Sequence, residues 1–514
     1  MSIFHGTVSR RDFMKNLGLA GAGIGAAALV APTFHDLDEL AASSGAAPKR
    51  PWYVKERPLL NPTTEIDQSL LKRYDRRYQS QTTLCKSYYT ETWARRDAAA
   101  AKGKAISDAR TFETPGYTLR SRVMSSAALM RLDWAKSWTG PKATTTGTYS
   151  PSKTPSDLGT TKWTGTPEEA SKMMNAALRY YGASHTGYAE FDDFWQGKML
   201  TAYTTKGATA EYKGGTYESN LPTEKNSLKY TVENVPAPVD LESTEGKMVI
   251  PSSFRSVIWA SPPVARQFLK TPNASKGYYT TSFPGPNGTG GTLSDFIYGG
   301  LHRFVRSLGY QSCSNTGHQT EIFNVNGAGV MVGGEESSRQ QNYGLTPEFG
   351  PAQYPTTFVT DLELAPTNPI DAGMWKFCQT CGFCAINCPA GCIETAKGSN
   401  VATYEPPNFE GKARTFHNLG PKMLWNNYVR CQEYRSEASG CSQCWGYCTF
   451  SIDSAAMVHA LVKQTISQTS LFNSFFATMG EKFGYGAMDN PEDWWDMNLP
   501  VMGIDTAGTA TKGR

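Results

Sequence analysis

The chain has 514 residues, enough to bury a large core and to hold more than one structural unit. Its 50 Lys and Arg stand against 46 Asp and Glu, spread without long runs, and no basic stripe carries interleaved aromatics, which argues against a nucleic-acid partner. Aromatics make up 12% of the residues, including 12 Trp and 25 Tyr, enough to line an apolar ligand cavity.

Residues 1–45 read as a targeting segment and stand apart from the fold. Ser9-Arg10-Arg11-Asp12-Phe13-Met14-Lys15 carries a twin arginine followed by a large apolar residue, and the Gly- and Ala-rich stretch Leu17–Pro32 comes next. That stretch is too short and too weakly apolar to span a bilayer comfortably. The pair has the form of a twin-arginine (Tat) export signal. Such signals carry proteins that are already folded, so the mature chain is expected to be exported and soluble or peripheral.

From 46 to 160 the sequence is polar, rich in Thr, Ser and Lys, and reads as loops, short helices and an irregular cover. A helix follows, with Thr166 as N-cap, Pro167 at the first position and Glu169 completing a capping box. Met173, Met174, Ala177, Leu178 and Tyr181 recur at helical spacing, and Gly182 ends the helix. Gly187–Phe191, Lys247–Ile250 and Ser256–Ala260 read as strands. A second helix, from about Ser294 to Leu308, is expected to bury Phe296, Ile297, Leu301, Phe304, Val305 and Leu308, with Gly309 as its stop. Such units predict an α/β (α+β) core over 161–365. Phe283–Gly291 and Gly327–Gly334 read as loops, and Pro366–Asp371 as a turn-rich linker.

Nine of the eleven cysteines fall between Cys378 and Cys448, which marks a local site rather than a disulfide net. Cys378-x2-Cys381-x2-Cys384-x3-Cys388-Pro389 has the bacterial ferredoxin spacing for [4Fe–4S] ligation, in which the fourth Cys serves the other cluster. A partner run is therefore required, and Cys441-x2-Cys444-x3-Cys448 supplies it, with Cys431 ten residues upstream. The expected assignment is Cys378, Cys381, Cys384 and Cys448 to one cluster and Cys431, Cys441, Cys444 and Cys388 to the other. Structural zinc usually takes two separated CxxC hooks, whereas four closely spaced Cys followed by Pro favour a cubane. The second run departs from the pattern, with Thr449 where Pro is usual and Cys431 in place of a close-spaced Cys. Cys392 reads as an extra structural thiol, and Cys85 and Cys313 as buried or spare cysteines. Two clusters make a one-electron wire, and a wire implies something to reduce in the residues before it.

Taken end to end, the chain resembles the reductive dehalogenases of organohalide-respiring bacteria. The resemblance is carried by SRRDFMK, KWTGTPEEASKMMNAALRYYGAS (162–184), RSLGY (306–310), TDLELAPTNPIDAGMWKFCQTCGFCAINCP (360–389) and the second cysteine run. VHALVKQTISQTSLFNSFFATMGEKFGYG (458–486) and DWW (493–495) are similar to the tail of that family. It implies a nitroreductase-like, cobamide-binding core at 161–365, a ferredoxin-like 2×[4Fe–4S] domain at 366–460 and a tail at 461–514 that packs on the core. It also implies a corrinoid of B12 type held without the Asp-x-His-x-x-Gly motif. The nearest match, His417-Asn418-Leu419-Gly420, has Thr415 where Asp would stand, so His417 reads as structural. The reaction implied is replacement of halogen by hydrogen on a small organohalide.

Members of the family place a Tyr proton donor at the start of the helix that ends in Leu-Gly-Tyr, with a nearby cation lowering its pKa. At that position this chain has Gly291. Tyr298, Tyr278 and Tyr279 are substitutes, as is Tyr354, which stands where the cation is expected after Pro347-Glu348-Phe349-Gly350; Arg339 is the alternative cation. Asn324, Asn326, Gly327 and Gly329 fall where the family approaches the corrinoid. The resemblance further implies a small integral-membrane anchor protein, a respiratory electron donor complex, and a peripheral place on the outer face of the cytoplasmic membrane. Two other readings fit parts of the sequence: an exported, non-catalytic iron–sulfur electron-transfer subunit, which leaves the large core without a task, and an epoxyqueuosine-reductase-like enzyme, which conflicts with the export signal.

Overall fold

The structure is a computed structural model. It describes residues 50–79, 90–128, 137–140, 152–205, 227–278, 289–314, 321–341, 343–411, 413–414, 417–438, 441–451, 457–482 and 486–504. The targeting segment, Cys85, Tyr279 and Thr415 lie outside the described residues.

The described chain begins with a two-residue strand, β1 (Lys55–Glu56), which pairs antiparallel with residues 370–371 just before the cysteine region. Two helices then stand where loops, short helices and an irregular cover are expected, α1 (Thr90–Asp108), longer than anticipated at 19 residues, and α2 (Leu119–Ala128). Apolar periodicity could not announce α1, because its contacts are ion pairs and a close backbone approach. Arg95 binds Glu433 at 2.6 Å and Glu410 at 2.8 Å, and Lys102 binds Glu437 at 2.6 Å. Gly103 of α1 is buried with Glu437 backbone where a Cβ would stand, so only glycine lets the two segments meet there.

Helix α3 (Pro167–Tyr180) forms as its capping box predicts: Glu169 N–H donates to Thr166 Oγ1 at 3.2 Å, and Thr166 N–H donates to the Glu169 carboxylate at 2.9 Å. Met174 and Leu178 are fully buried, and Gly182 turns the chain at φ 105° into β2 (His185–Glu190). A second layer follows, built from β3 (Tyr203–Thr205), β4 (Ser227–Glu233), β5 (Val239–Leu241) and β6 (Lys247–Pro251) in the order β3-β4-β6-β5, with β4 and β6 parallel. Every residue of β7 (Ser256–Ser261) is buried, because both faces of this strand are covered.

Helix α4 (Thr289–Ser307) starts before the expected Ser294 and takes Gly290 and Gly291 into its first turn. Ile297, Leu301 and Val305 form its buried stripe, while Phe296, one step of about 100° round the helix, is 52% exposed rather than buried as expected. Gly309 stops the chain at φ 91° before β8 (Ser312–Ser314), whose Cys313 is wholly buried in the core. The stretch expected as a loop from Gly327 instead contains α5 (Val325–Met331), capped by Asn324.

Strand β9 (Thr356–Thr360) completes the main sheet, β2-β7-β9-β8, antiparallel throughout. Alternation divides its side chains. Tyr188, Ile258, Ala260 and Phe358 face α3 and α4, whereas Ala189, Val257, Trp259 and Val359 face the second sheet and α5. The architecture is thus mixed α and β, layered on a central antiparallel sheet. Strand β10 (Ile370–Asp371), the partner of β1, closes the core and leads into the cysteine region.

Candidate metal centre

The first cysteine run is shaped by two left-handed glycines. Gly373 (φ 73°) precedes α6 (Met374–Cys381), and Gly382 (φ 68°) breaks it from the short α7 (Phe383–Ile386). The break at Gly382 turns Cys384 back towards Cys378 and Cys381. After α8 (Tyr428–Ala438) and the short α9 (Gln443–Gly446), the chain delivers Cys448 to the same place. These four cysteines line a single small cavity, walled also by Arg339 and Phe450. Burial pushes the Cys378 thiol up to about 12 and raises those of Cys384 and Cys448 well above the ordinary value, with neighbouring cysteines adding to all three. Four buried thiols become thiolates only against compensating positive charge, the condition that iron in a cluster satisfies. The donor set fits a [4Fe–4S] cluster.

The remaining ligands gather beside it. The Cys441 and Cys444 thiols are raised chiefly by burial, and both feel Cys431 and Cys388; Cys444 also feels Cys384 of the first set. Cys388, in the first run by sequence, thus sits with the second set, as ferredoxin-type ligand exchange requires. Cys392 lies closer to this set than a spare thiol need: its Sγ is 3.4 Å from Cys388 Sγ, and it also hydrogen-bonds Cys431. The Cys392 contact holds the Cys388 thiol down to about 6.

One segment of the core, 336–341, clamps both sets. The Glu336 carboxylate accepts from Trp375 N–H at 2.9 Å and from Ala372 N–H, at the start of α6, and burial raises it to about 7. The Gln340 amide donates to Cys444 O at 2.6 Å, and Gln341 accepts from Asn426 N–H at 2.9 Å. Between them lies Arg339. The resemblance makes it the alternative cation beside a catalytic Tyr; in the fold the residue is 1% exposed and lines the first cysteine cavity. It donates to the carbonyls of Cys378 (2.9 Å), Gln379 (3.0 Å), Ala396 (2.9 Å) and Glu394. No periodicity marks such a residue; its carbonyl partners, up to 57 positions away, become visible only in the fold.

The tyrosines separate clearly. Tyr298 is 3% exposed with its ring 5.1 Å from that of Phe358, and burial raises its phenol far above the ordinary value, so it is a core residue. Tyr278 forms the turn with Asn273 that Gly277 closes. Tyr354 is half-buried among Val264, Phe349 and Trp445, and its ring lies against Gly290 in the first turn of α4, one residue from Gly291.

The residues expected at the corrinoid divide. Asn324 spends its side chain as a helix cap, accepting from Gly327 N–H at 2.9 Å. At Gly329 a Cβ would meet Trp259 at 2.8 Å and Glu335 at 2.9 Å, so its smallness serves internal packing. Gly327 is bounded at 3.5 Å or more, and Asn326 is half-buried beside it. Asn324 and Gly329 thus have roles within the chain itself, as a helix cap and a packing contact. His417 packs its ring 4.9 Å from that of Trp425, and burial pushes its pKa down to about 3, which suits a structural residue.

With this geometry in place, the comparisons identify the family. The chain belongs to the reductive dehalogenase subunit family, whose model matches residues 49–364. It is 29% identical to the chloroethene reductive dehalogenase of Dehalococcoides mccartyi strain VS, over 98% of this chain and 99% of that one. It is 28% identical to the trichloroethene reductive dehalogenase of another strain of that species, over 97% of this chain and 98% of the relative. Among solved structures it is similar to a reductive dehalogenase for which a B12-dependent mechanism was suggested, with a TM-score of 0.49 and 16% identity. That match covers 87% of this chain and 51% of the solved chain, so this chain spans about half its length. The protein is an oxidoreductase acting on carbon–halogen bonds, and the family match falls on the core that an electron-transfer subunit would leave without a task.

Proposed function

We propose that this protein is the terminal reductase of organohalide respiration, replacing chlorine by hydrogen on small chlorinated ethenes with electrons relayed through two [4Fe–4S] clusters. The observation that carries the relay is the convergence of Cys378, Cys381, Cys384 and Cys448 on one cavity, with Cys388, Cys431, Cys441 and Cys444 beside it. The substrate class is taken from the chloroethene and trichloroethene enzymes that align with almost the whole chain. A bound corrinoid would supply the low-potential cobalt chemistry; its use here rests on resemblance, and no step is assigned through it.

The chain's own contributions are a dry relay and a proton source. In this reading Tyr354 is the proton donor: its side chain lies against Gly290 in the first turn of α4, one residue from Gly291, where the resemblance implies a Tyr. The nitroreductase-like core and ferredoxin-like cluster domain remain the best description of the two halves, with 161–365 and 366–460 as their bounds. The twin arginine at Arg10 and Arg11 supports Tat export and a place at the outer face of the cytoplasmic membrane, held by a small membrane anchor protein. Among the described residues no helix is long and apolar enough to cross a membrane.

Anaerobic protein produced with corrinoid and given reduced viologen and trichloroethene should release chloride and form less-chlorinated ethenes. Chloride release that persists after Tyr354→Phe at an unchanged rate would remove the proton-donor assignment. No chloride from any chlorinated ethene would remove the substrate class.

A further inference from the structure

Arg339 combines three properties that a purely structural arginine does not need together. It is almost fully buried, it lines the cavity of Cys378, Cys381, Cys384 and Cys448, and its hydrogen bonds go to the carbonyls of Cys378, Gln379, Ala396 and Glu394. Carbonyl dipoles orient a guanidinium without cancelling its charge, and a guanidinium keeps that charge when buried. The next residue in the chain, Gln340, reaches the other ligand set instead, at Cys444 O. Arg339 thus fixes one full positive charge at the first cysteine set, while a different cation, Arg435, lies near Cys431 and Cys441 of the second.

We infer that Arg339 is the fixed cation that sets the reduction potential of the cluster held by Cys378, Cys381, Cys384 and Cys448. The inference rests on the two-cluster reading. Reduction takes the cluster from [4Fe–4S]2+ to [4Fe–4S]1+ by one electron, with no bond or proton exchanged. The four thiolates make the site anionic before the electron arrives, so a nearby buried charge of opposite sign stabilises the reduced form more than the oxidised one. Arg339 acts through position and charge, outside the ligand sphere. It is a positioning residue for electron transfer.

The test is a mediated redox titration of the full anaerobic protein, with both clusters followed by electron paramagnetic resonance and iron counted beforehand. Wild-type protein with fewer than about eight iron per chain would remove the two-cluster reading itself. With iron intact, Arg339→Gln is expected to lower the reduced-to-oxidised ratio of one cluster at least tenfold at the wild-type midpoint, about 59 mV for a one-electron couple. The other cluster should move much less, and Arg339→Lys should recover most of the shift. An unmoved midpoint in Arg339→Gln, or an equal shift in Arg339→Lys, overturns the inference. If Arg339→Gln does not retain iron, Thr449→Asp decides: it puts a carboxylate on the same cavity wall at a half-buried position whose Oγ1 is 3.7 Å from Cys381 Sγ. That variant should lower the same midpoint, and an unchanged value would overturn the inference as well.

Discussion

Tyr354 lies against Gly290: a Cβ on that glycine would stand 2.9 Å from Tyr354 Cβ and 3.3 Å from its Cγ. The two come from different segments, one from the turn before β9 and the other from the first turn of α4. The Tyr354 side chain thus lies one residue along the chain from Gly291, the position at issue for the proposed proton donor. Tyr354→Phe is expected to cut kcat by about 10²–10⁴, the usual range for a positioned proton donor, with KM little changed. Tyr298→Phe, at a core position, should leave kcat within a few-fold. Steady-state chloride release on both variants checks the pair, and the reverse ranking would move the donor to Tyr298.

The cysteine assignment has a crosswise consequence. Cys388→Ala lies in the first run by sequence but should disturb the second cluster, while Cys448→Ala should disturb the first. Each is expected to lower iron from about eight to about four per chain and to erase a different resonance signal. Loss of the same signal in both variants would refute ligand exchange between the runs.

His302 gives the fold an acid-sensitive point. Its ring is wholly buried, with Ser312 Oγ and Ser314 Oγ each 2.7 Å from a ring nitrogen, and burial pushes its pKa from 6.5 to about 3. Between those values the unfolded chain binds a proton that the folded chain does not, so stability falls as pH falls below 6.5. By pH 5 the loss is about 2 kcal/mol. Denaturant unfolding at pH 7 and pH 5 should show this difference in wild-type protein and a smaller one in His302→Gln. Equal slopes in both would contradict it.

Gly373 holds the start of α6 at φ 73°, and a Cβ there would strike the Ile466 carbonyl of α10 (Met457–Gln468). Gly373→Ala adds about 1–2 kcal/mol of left-handed strain to that clash. It should lower both thermal stability and retained iron, read in one preparation by scanning calorimetry and iron assay. Unchanged values would mean that α6 and the tail helix can separate freely.

Much of this is legible in the sequence. The capping box at Thr166 and Glu169, the glycine stops at Gly182 and Gly309 and the cysteine spacing are local signals, and local chemistry decides them. Helix α1 was not legible because it is held by ion pairs to α8 rather than by an apolar stripe. Asn324 reads equally as a ligand contact or a cap until the chain after it turns helical. The place of Arg339 at the cysteine cavity is not legible because its partners are backbone carbonyls, which carry no residue identity to read.

The most direct measurement is metal content: anaerobic protein produced with corrinoid, with iron, sulfide and cobalt counted per chain. The expected result is about eight iron and eight sulfide with one cobalt, the sum of two cubanes and a corrinoid. Eight iron with no cobalt after corrinoid reconstitution would contradict corrinoid-dependent dehalogenation and leave only the relay.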